Sequence, residues 1–160
     1  MRAEDVDGVV EVSLAADALF AEAGVELPPD DPREMLDQVE RVLVAVDGTE
    51  VVGLAATVTL DGAVHLEQLA VHPRYGRRGI GGALLEAVCV GAAGVGRTRV
   101  SLTTFRDLPW NAPWYGRRGF TVLPRPGWGP ELARQWEDEE RAGILVRPRV
   151  VMVRDLVPSP

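Results

Sequence analysis

Apolar residues change their spacing several times along this chain, and each spacing predicts an element. Val6, Val9, Val10, Leu14 and Leu19 recur at helical intervals, predicting a helix over about 5–23 that Gly24 ends. Pro28-Pro29-Asp30-Asp31-Pro32 reads as a turn-rich break, followed by a short helix at about 33–40. Residues 41–46 and 50–60 read as strands joined at Asp47-Gly48, a hairpin signal that Asp61-Gly62 repeats before a strand at 63–71. Ile80, Ala83, Leu84, Ala87 and Val88 give the apolar face of a helix over about 79–91. A strand at 99–105 follows, then a short helix with Asn111 as its expected N-cap and Pro113 in its first turn. Residues 120–123 and 149–153 close the pattern as strands, around an insertion at 124–147 rich in Pro, Gly and acidic side chains. Strands, one crossover helix and further strands predict an α/β fold with a mixed sheet.

The junction between the strand at 63–71 and the helix at 79–91 carries the chemistry. A helix start offers backbone N–H groups without intrahelical partners, together with the positive end of the dipole. Arg77 and Arg78 add charge there, while Gly79, Gly81 and Gly82 allow close approach to the backbone. The pattern implies a site for a phosphate-bearing cofactor. It is not a nucleotide-triphosphatase loop, which needs a lysine, because the chain has none. A dinucleotide fingerprint from Gly79 and Gly81 would need its third glycine where Leu84 stands.

Composition narrows the classes further. The 160 residues suit one domain with a real core. A net charge of −7 argues against a general nucleic-acid or membrane-surface binder. No apolar run suffices to span a bilayer and no leader-like segment opens the chain, so a cytoplasmic protein is expected. One cysteine, Cys89, cannot form an internal disulfide and reads as a small helix residue rather than a reactive thiol. Absent lysine, one asparagine and abundant Ala, Val, Gly, Arg and Pro fit a GC-rich, bacterial genome. No metal-ligand pattern is expected.

Val71-His72-Pro73, followed by Gly76-Arg77-Arg78-Gly79-Ile80-Gly81, resembles the signature of the GNAT superfamily of acetyl-CoA-dependent N-acetyltransferases. That family places Gln or Arg where Gly76 stands, and Arg77 or Arg78 is expected to supply the missing side chain. A second segment, Trp110 to Phe120, resembles the family's late helix, with Tyr115 four residues before Gly119-Phe120. The likeness runs well over about 40–123. It implies a mixed, mostly antiparallel central sheet with splayed central strands flanked by helices, and a bulge in the strand at 63–71. It also implies acetyl-CoA as co-substrate, held by Leu69, Ala70, Val71, Arg77, Arg78, Gly79, Ile80, Gly81, Gly82 and Asn111. On this reading residues 1–160 form one domain: acceptor-side helices at about 5–40, an acetyl-CoA core at about 41–123, the insertion, and a closing strand at about 148–155.

Acetyl transfer to an amine needs a proton acceptor, stabilisation of an oxyanion and help for the leaving thiolate. Strand alternation puts His65, Glu67, Leu69 and Val71 on one side. The resemblance makes Glu67 the expected base, with His65 the alternative and His72 structural. Tyr115 is the expected general acid at the sulfur, and backbone N–H groups near Leu69 to Val71 would polarise the carbonyl. The four tryptophans between 110 and 136 read as packing with a share in an acceptor pocket. The run Glu137-Asp138-Glu139-Glu140 reads as a solvated helix face, with attraction of a cationic acceptor as the alternative. The partner is an amine-bearing acceptor, with a homodimer open. Two rival classes stand beside the enzyme: a non-catalytic acyl-CoA-binding regulatory module, and a phosphate-binding domain unrelated to CoA.

Overall fold

A computed structural model describes residues 1–157. Five helices and six strands follow in chain order: α1 (Val6–Glu22), α2 (Pro32–Gln38), β1 (Arg41–Asp47), β2 (Glu50–Leu60), β3 (Ala63–Val71), α3 (Ile80–Gly94), β4 (Arg99–Phe105), α4 (Ala112–Gly116), β5 (Thr121–Val122), α5 (Pro130–Arg141) and β6 (Arg149–Asp155). The strands form one sheet in the order β1-β2-β3-β4-β6-β5. The pairs β1–β2, β4–β6 and β5–β6 are antiparallel, which bears out the mixed, mostly antiparallel α/β architecture. The chain divides into two compact units, Met1–Val58 with Leu66–Gly91, and Thr59–His65 with the residues from Ala92 onward.

In the first unit α1 packs on β2. Val9 and Val12 join Val42, Val51, Leu54, Ala56 and Ala70 in a buried cluster, bordered by Ala16, Met35, Leu36, Val39 and Val44. The inward stripe of α1 is therefore Val9, Val12, Ser13 and Ala16, whereas the expected core residues Leu14 and Leu19 are 51% and 36% exposed. Gly8 selects that stripe: a Cβ there would lie 2.8 Å from Val51 Cβ, so only glycine lets the helix sit this close. α2 begins at Pro32, one residue earlier than expected, with the Asp31 carboxylate accepting from Arg33 N at 2.9 Å as its N-cap. The first hairpin turns through Gly48 at φ +62°, and a register shift falls between Ala45 and Val46 in β1.

α3 also departs from the expected face. Leu84, Leu85, Val88, Cys89 and Ala92 are buried, while Ala83 and Ala87 are exposed. The helix runs through Gly91 to Gly94, and Gly96 at φ +78° stands beyond its end.

The second unit is built on β4, β6 and β5, with β6 central among them. Ala92, Val100, Leu102, Phe105, Ala112, Phe120, Leu132, Val151, Met152 and Val153 are buried apolar residues of this unit. Asp61 and Gly62 both have positive φ, 51° and 76°, as the two-residue hairpin turn between β2 and β3 requires. The insertion at 124–147 contains α5. Its Leu132, Gln135, Trp136 and Glu139 face inward at helical spacing. Asp61 caps that helix from the hairpin turn: its carboxylate accepts from Glu131 N at 3.0 Å and Leu132 N at 2.9 Å. The Glu131 carboxylate accepts from Asp61 N in return, a capping box assembled across 70 residues of chain. Among the described residues no helix is long and apolar enough to cross a membrane, and no group of three or more metal-ligating side chains converges.

Candidate active site

The segment from Val71 to Gly82 lies wholly in the first unit. β3 leaves the sheet at His72, whose N–H still reaches Val52 O at 2.9 Å. His72 Nδ1 then accepts from Arg74 N at 3.2 Å, capping a tight turn over Pro73–Tyr75. Arg77 at φ +62° and Gly79 at φ +78° both adopt the left-handed conformation. The first intrahelical bond of α3 runs from Ala83 N to Gly79 O at 3.0 Å, so the N–H groups of Ile80, Gly81 and Gly82 have no acceptor within the helix.

Residues 76–79 are exposed, Arg77 and Arg78 included. Arg78 lies 5.2 Å from the Tyr75 ring centroid, and Tyr75 donates its hydroxyl to Glu50 at 3.0 Å. That bond and the nearby Glu50 charge hold the Tyr75 phenol above its ordinary pKa, so it stays neutral. Gly53 of β2 is the support for this corner. A Cβ there would meet Leu84 Cδ1 at 3.0 Å and both Ala70 O and Ile80 Cγ2 at 3.2 Å. The exposed left-handed turn, unpaired helix N–H groups and two arginines suit a pyrophosphate such as that of a CoA thioester.

Glu67, Leu69 and Val71 are half-buried on β3, and Ala70 is buried. Gln68 donates to Ser13 of α1 at 2.6 Å, tying the strand to the helix. His65 belongs to the second unit and is 1% exposed. Its Nδ1 pairs with Ser101 Oγ at 2.9 Å, and Nε2 is buried without a partner. Burial pushes its pKa down to about 4. A neutral imidazole of that acidity is poorly suited to take a proton from an amine.

Asn111 and Tyr115 stand in the second unit. The Asn111 side chain does not cap α4, contrary to expectation. Its Oδ1 instead accepts from Thr104 Oγ1 at 2.7 Å and Phe105 N at 3.4 Å at the end of β4. The two donors on Oδ1 fix the amide's orientation and turn the Nδ2 donors the other way.

Tyr115 is placed by its own helix terminus. Gly119 at φ +87° is the left-handed residue after α4, and Phe120 N bonds Tyr115 O at 3.2 Å. That is a Schellman cap, whose usual apolar contact is supplied by the Tyr115 and Phe120 rings, 5.7 Å apart. The spacing Tyr115-x-x-x-Gly119-Phe120 thus has a geometric cause. Trp114 packs edge-on at 5.0 Å and carries Arg118 over its face at 3.7 Å. Burial raises the Tyr115 phenol far above its ordinary pKa, so the group keeps its proton at neutral pH.

Several residues at this end escaped the sequence reading. Glu139 does not join the solvated face of Glu137, Asp138 and Glu140. Its carboxylate takes the Thr103 hydroxyl at 2.8 Å and lies 3.8 Å from Arg149, with side chains 13% and 9% exposed. An arginine opening the apolar run Val150 to Val153 was the signal for this group. Trp128 and Trp136 pack together at 5.0 Å, and Trp128 Nε1 donates to Leu123 O at 2.8 Å.

The acetyltransferase (GNAT) domain family matches residues 38–122. Among solved structures, N-acetylglutamate synthase from Neisseria gonorrhoeae, complexed with coenzyme A and N-acetyl-glutamate, is similar at 22% identity and a TM-score of 0.72. The likeness covers 98% of this chain and 34% of the synthase, so the chain spans about a third of that protein. A GNAT-family acetyltransferase from Staphylococcus aureus Mu50 has a TM-score of 0.75 at 16% identity, over 98% of this chain and 96% of that one. The ribosomal-protein-S18-alanine N-acetyltransferase of Escherichia coli has a TM-score of 0.68 at 18% identity, over 100% and 93%.

Proposed function

Because the chain belongs to the GNAT acetyltransferase family, and is accordingly an acyltransferase using an acyl-CoA, we propose that it acetylates a primary amine of a small molecule or protein by direct attack in a ternary complex. The observation carrying this reading is the start of α3, where left-handed Arg77 and Gly79 precede three N–H groups without intrahelical acceptors. Arg77 to Gly82 and the backbone of Leu69 to Val71 would hold acetyl-CoA, whose thioester supplies the acyl group. The Asn111 amide, with Oδ1 already occupied, would offer its Nδ2 donors to the same ligand. Acceptors of both kinds fit the relatives, one named for N-acetylglutamate and another for a ribosomal-protein alanine. The single cysteine fits a cytoplasmic setting, and absent lysine with abundant Ala, Val, Gly, Arg and Pro fits a bacterial one.

Glu67 takes the ammonium proton before attack, and Tyr115, kept neutral by burial, returns a proton to the sulfur. The test is thiol release from acetyl-CoA across a panel of amines, for wild type and Glu67→Gln. The variant should lose on the order of a hundredfold in rate. Its deficit should shrink as pH approaches the pKa of the free amine, where the substrate arrives deprotonated. A pH-independent deficit would make Glu67 a positioning group. CoA binding with no thiol release from any amine would favour the regulatory module instead.

A further inference from the structure

A polar cavity opens at the start of β4, and every residue that walls it belongs to the second unit. Gly96 at φ +78° ends the turn after α3, with Arg97 N bonded to Ala92 O at 2.9 Å, and leads the chain into Thr98 and Arg99. Arg97 Nη1 donates to Gly62 O at 3.2 Å and ties this corner to the β2–β3 turn. Arg99 stands opposite Asp155 on the β4–β6 ladder, and Leu156 N reaches Thr98 O at 2.8 Å one step beyond it. The cavity between these segments measures about 410 Å³, within the range of small-molecule sites. Small residues leave it open: a Cβ at Gly62 would meet nothing within 4 Å, and Ala63 offers one methyl. The acids of the wall are already satisfied. Asp61 takes two N–H groups of α5, and Asp155 takes Arg99 Nε at 2.7 Å. The donors are in surplus. Arg99 Nη1 and Nη2 and the Thr98 hydroxyl have no acceptor among the described residues. Arg99 is 39% exposed and Asp155 74%, so the ion pair is reachable from solvent and contributes little to stability. What it does is hold the guanidinium by Nε and leave the Nη1–Nη2 edge free.

We propose that this cavity binds a small aliphatic carboxylate, with the carboxylate on the Nη1–Nη2 edge of Arg99 beside the Thr98 hydroxyl, and the hydrocarbon against Ala63 and Leu156. The free edge offers two parallel N–H bonds in one plane, which is the geometry of a carboxylate. The two apolar side chains in the wall match a short hydrocarbon and give a bare inorganic anion nothing to rest on. The site goes beyond the acyltransferase reading and does not depend on it. Arg99 and Phe105 are the two ends of β4, about 20 Å apart at about 3.3 Å per residue, and Asn111 is held at the Phe105 end.

The probe is butyrate, titrated into the full chain at constant ionic strength while the backbone amides of Ala63, Thr98 and Arg99 are followed by NMR. Butyramide, of the same shape without the charge, and inorganic phosphate are titrated alongside. Butyrate should shift the three amides saturably and bind on the order of tenfold more tightly than either control. Arg99→Gln should weaken butyrate by on the order of 10- to 100-fold, and Arg99→Lys, which keeps the charge but loses the fork, should fall between. Ala63→Leu fills the cavity without changing any charge and should abolish the saturable shift at Thr98 and Arg99. The absence of a saturable shift in the wild type overturns the proposal, as does butyramide binding as tightly as butyrate. Wild-type affinity in Arg99→Gln, or in Arg99→Lys should the first variant not fold, overturns the role of Arg99. Undiminished binding in Ala63→Leu overturns the placement in the cavity, and phosphate binding as tightly as butyrate overturns the choice of a carboxylate. Thiol release from acetyl-CoA, measured without butyrate, should be the same in Arg99→Gln as in the wild type, so failure of the acyltransferase reading would show there and not in the titrations.

Discussion

The cap that Asp61 places on α5 can be isolated by choosing the replacement with its backbone in mind. Asp61 sits at φ 51°, so Asp61→Ala would lose the cap and strain the turn together. Asp61→Gly removes the carboxylate while accepting the left-handed conformation. The carboxylate accepts two N–H groups of the first turn, and losing an N-cap costs about 0.5–2 kcal/mol. The negative charge beside the helix N-terminus contributes a further 0.3–1 kcal/mol or so. Asp61→Gly should therefore destabilise by roughly 1–2 kcal/mol, and Asp61→Ala by about 1 kcal/mol more. For a chain of this size that is a fall in Tm of roughly 3–8 °C for the glycine variant. Gly129 supplies a second arm. A Cβ there would stand 2.5 and 2.6 Å from the Asp61 carboxylate oxygens, so Gly129→Ala must expel the carboxylate and lose the same bonds. Urea titration of both single variants and the double variant completes a cycle. The double variant should be little worse than either single, a coupling of about 1–2 kcal/mol. Additive losses, or an Asp61→Gly protein as stable as the wild type, would refute the capping argument.

Three further outcomes follow from the site geometry. Gly81→Val should abolish CoA binding in calorimetry with the fold intact. Gly79→Val should do so with a lower Tm as well, because Gly79 is left-handed at φ +78°. Tyr115→Phe should cut kcat by roughly tenfold to a hundredfold with Tm unchanged, since the ring contacts survive; unfolding, or wild-type turnover with a slow amine, would make the hydroxyl structural. His65 is neutral when folded, with a pKa of about 4 against 6.5 unfolded. The unfolded chain therefore binds the extra proton between those values, and stability falls as pH drops from about 6.5 towards 4, by about 3 kcal/mol in all. His65→Gln should flatten that part of the stability–pH curve in urea titrations, and an unchanged slope would assign it to other groups.

Elements set by local chemistry were readable from the chain. Asp61-Gly62 specifies its turn because only a few residues accept positive φ at both positions, and the glycine loop before α3 declares its backbone in the same way. Helix faces were not readable where the helix is apolar on more than one side. On α1 the choice between Leu14 and Val12 falls to Gly8 meeting Val51, a contact made 43 residues away in the chain. α3 carries Val90, 64% exposed, beside a buried Cys89, so periodicity alone could not orient it. Glu139 looked like its acidic neighbours because the hydroxyl that turns it inward belongs to β4. Asn111 looked like a cap because asparagine before a proline-led turn usually is one, and Thr104 and Phe105 outcompete α4 for its oxygen.

The double engagement of the β2–β3 turn also bears on how this protein can be altered. A two-residue hairpin tip is ordinarily among the safest places to splice in a tag, a loop graft or new chain termini. Here one of those two residues, Asp61, forms the latch for a helix 70 residues downstream. Lengthening the tip by a single residue would swing the Asp61 carboxylate off α5 and free the helix that carries Glu139. Loop engineering is better directed to the segment at about 26–30 between α1 and α2, which lies outside any helix or strand and between the buried Val25 and the cap Asp31.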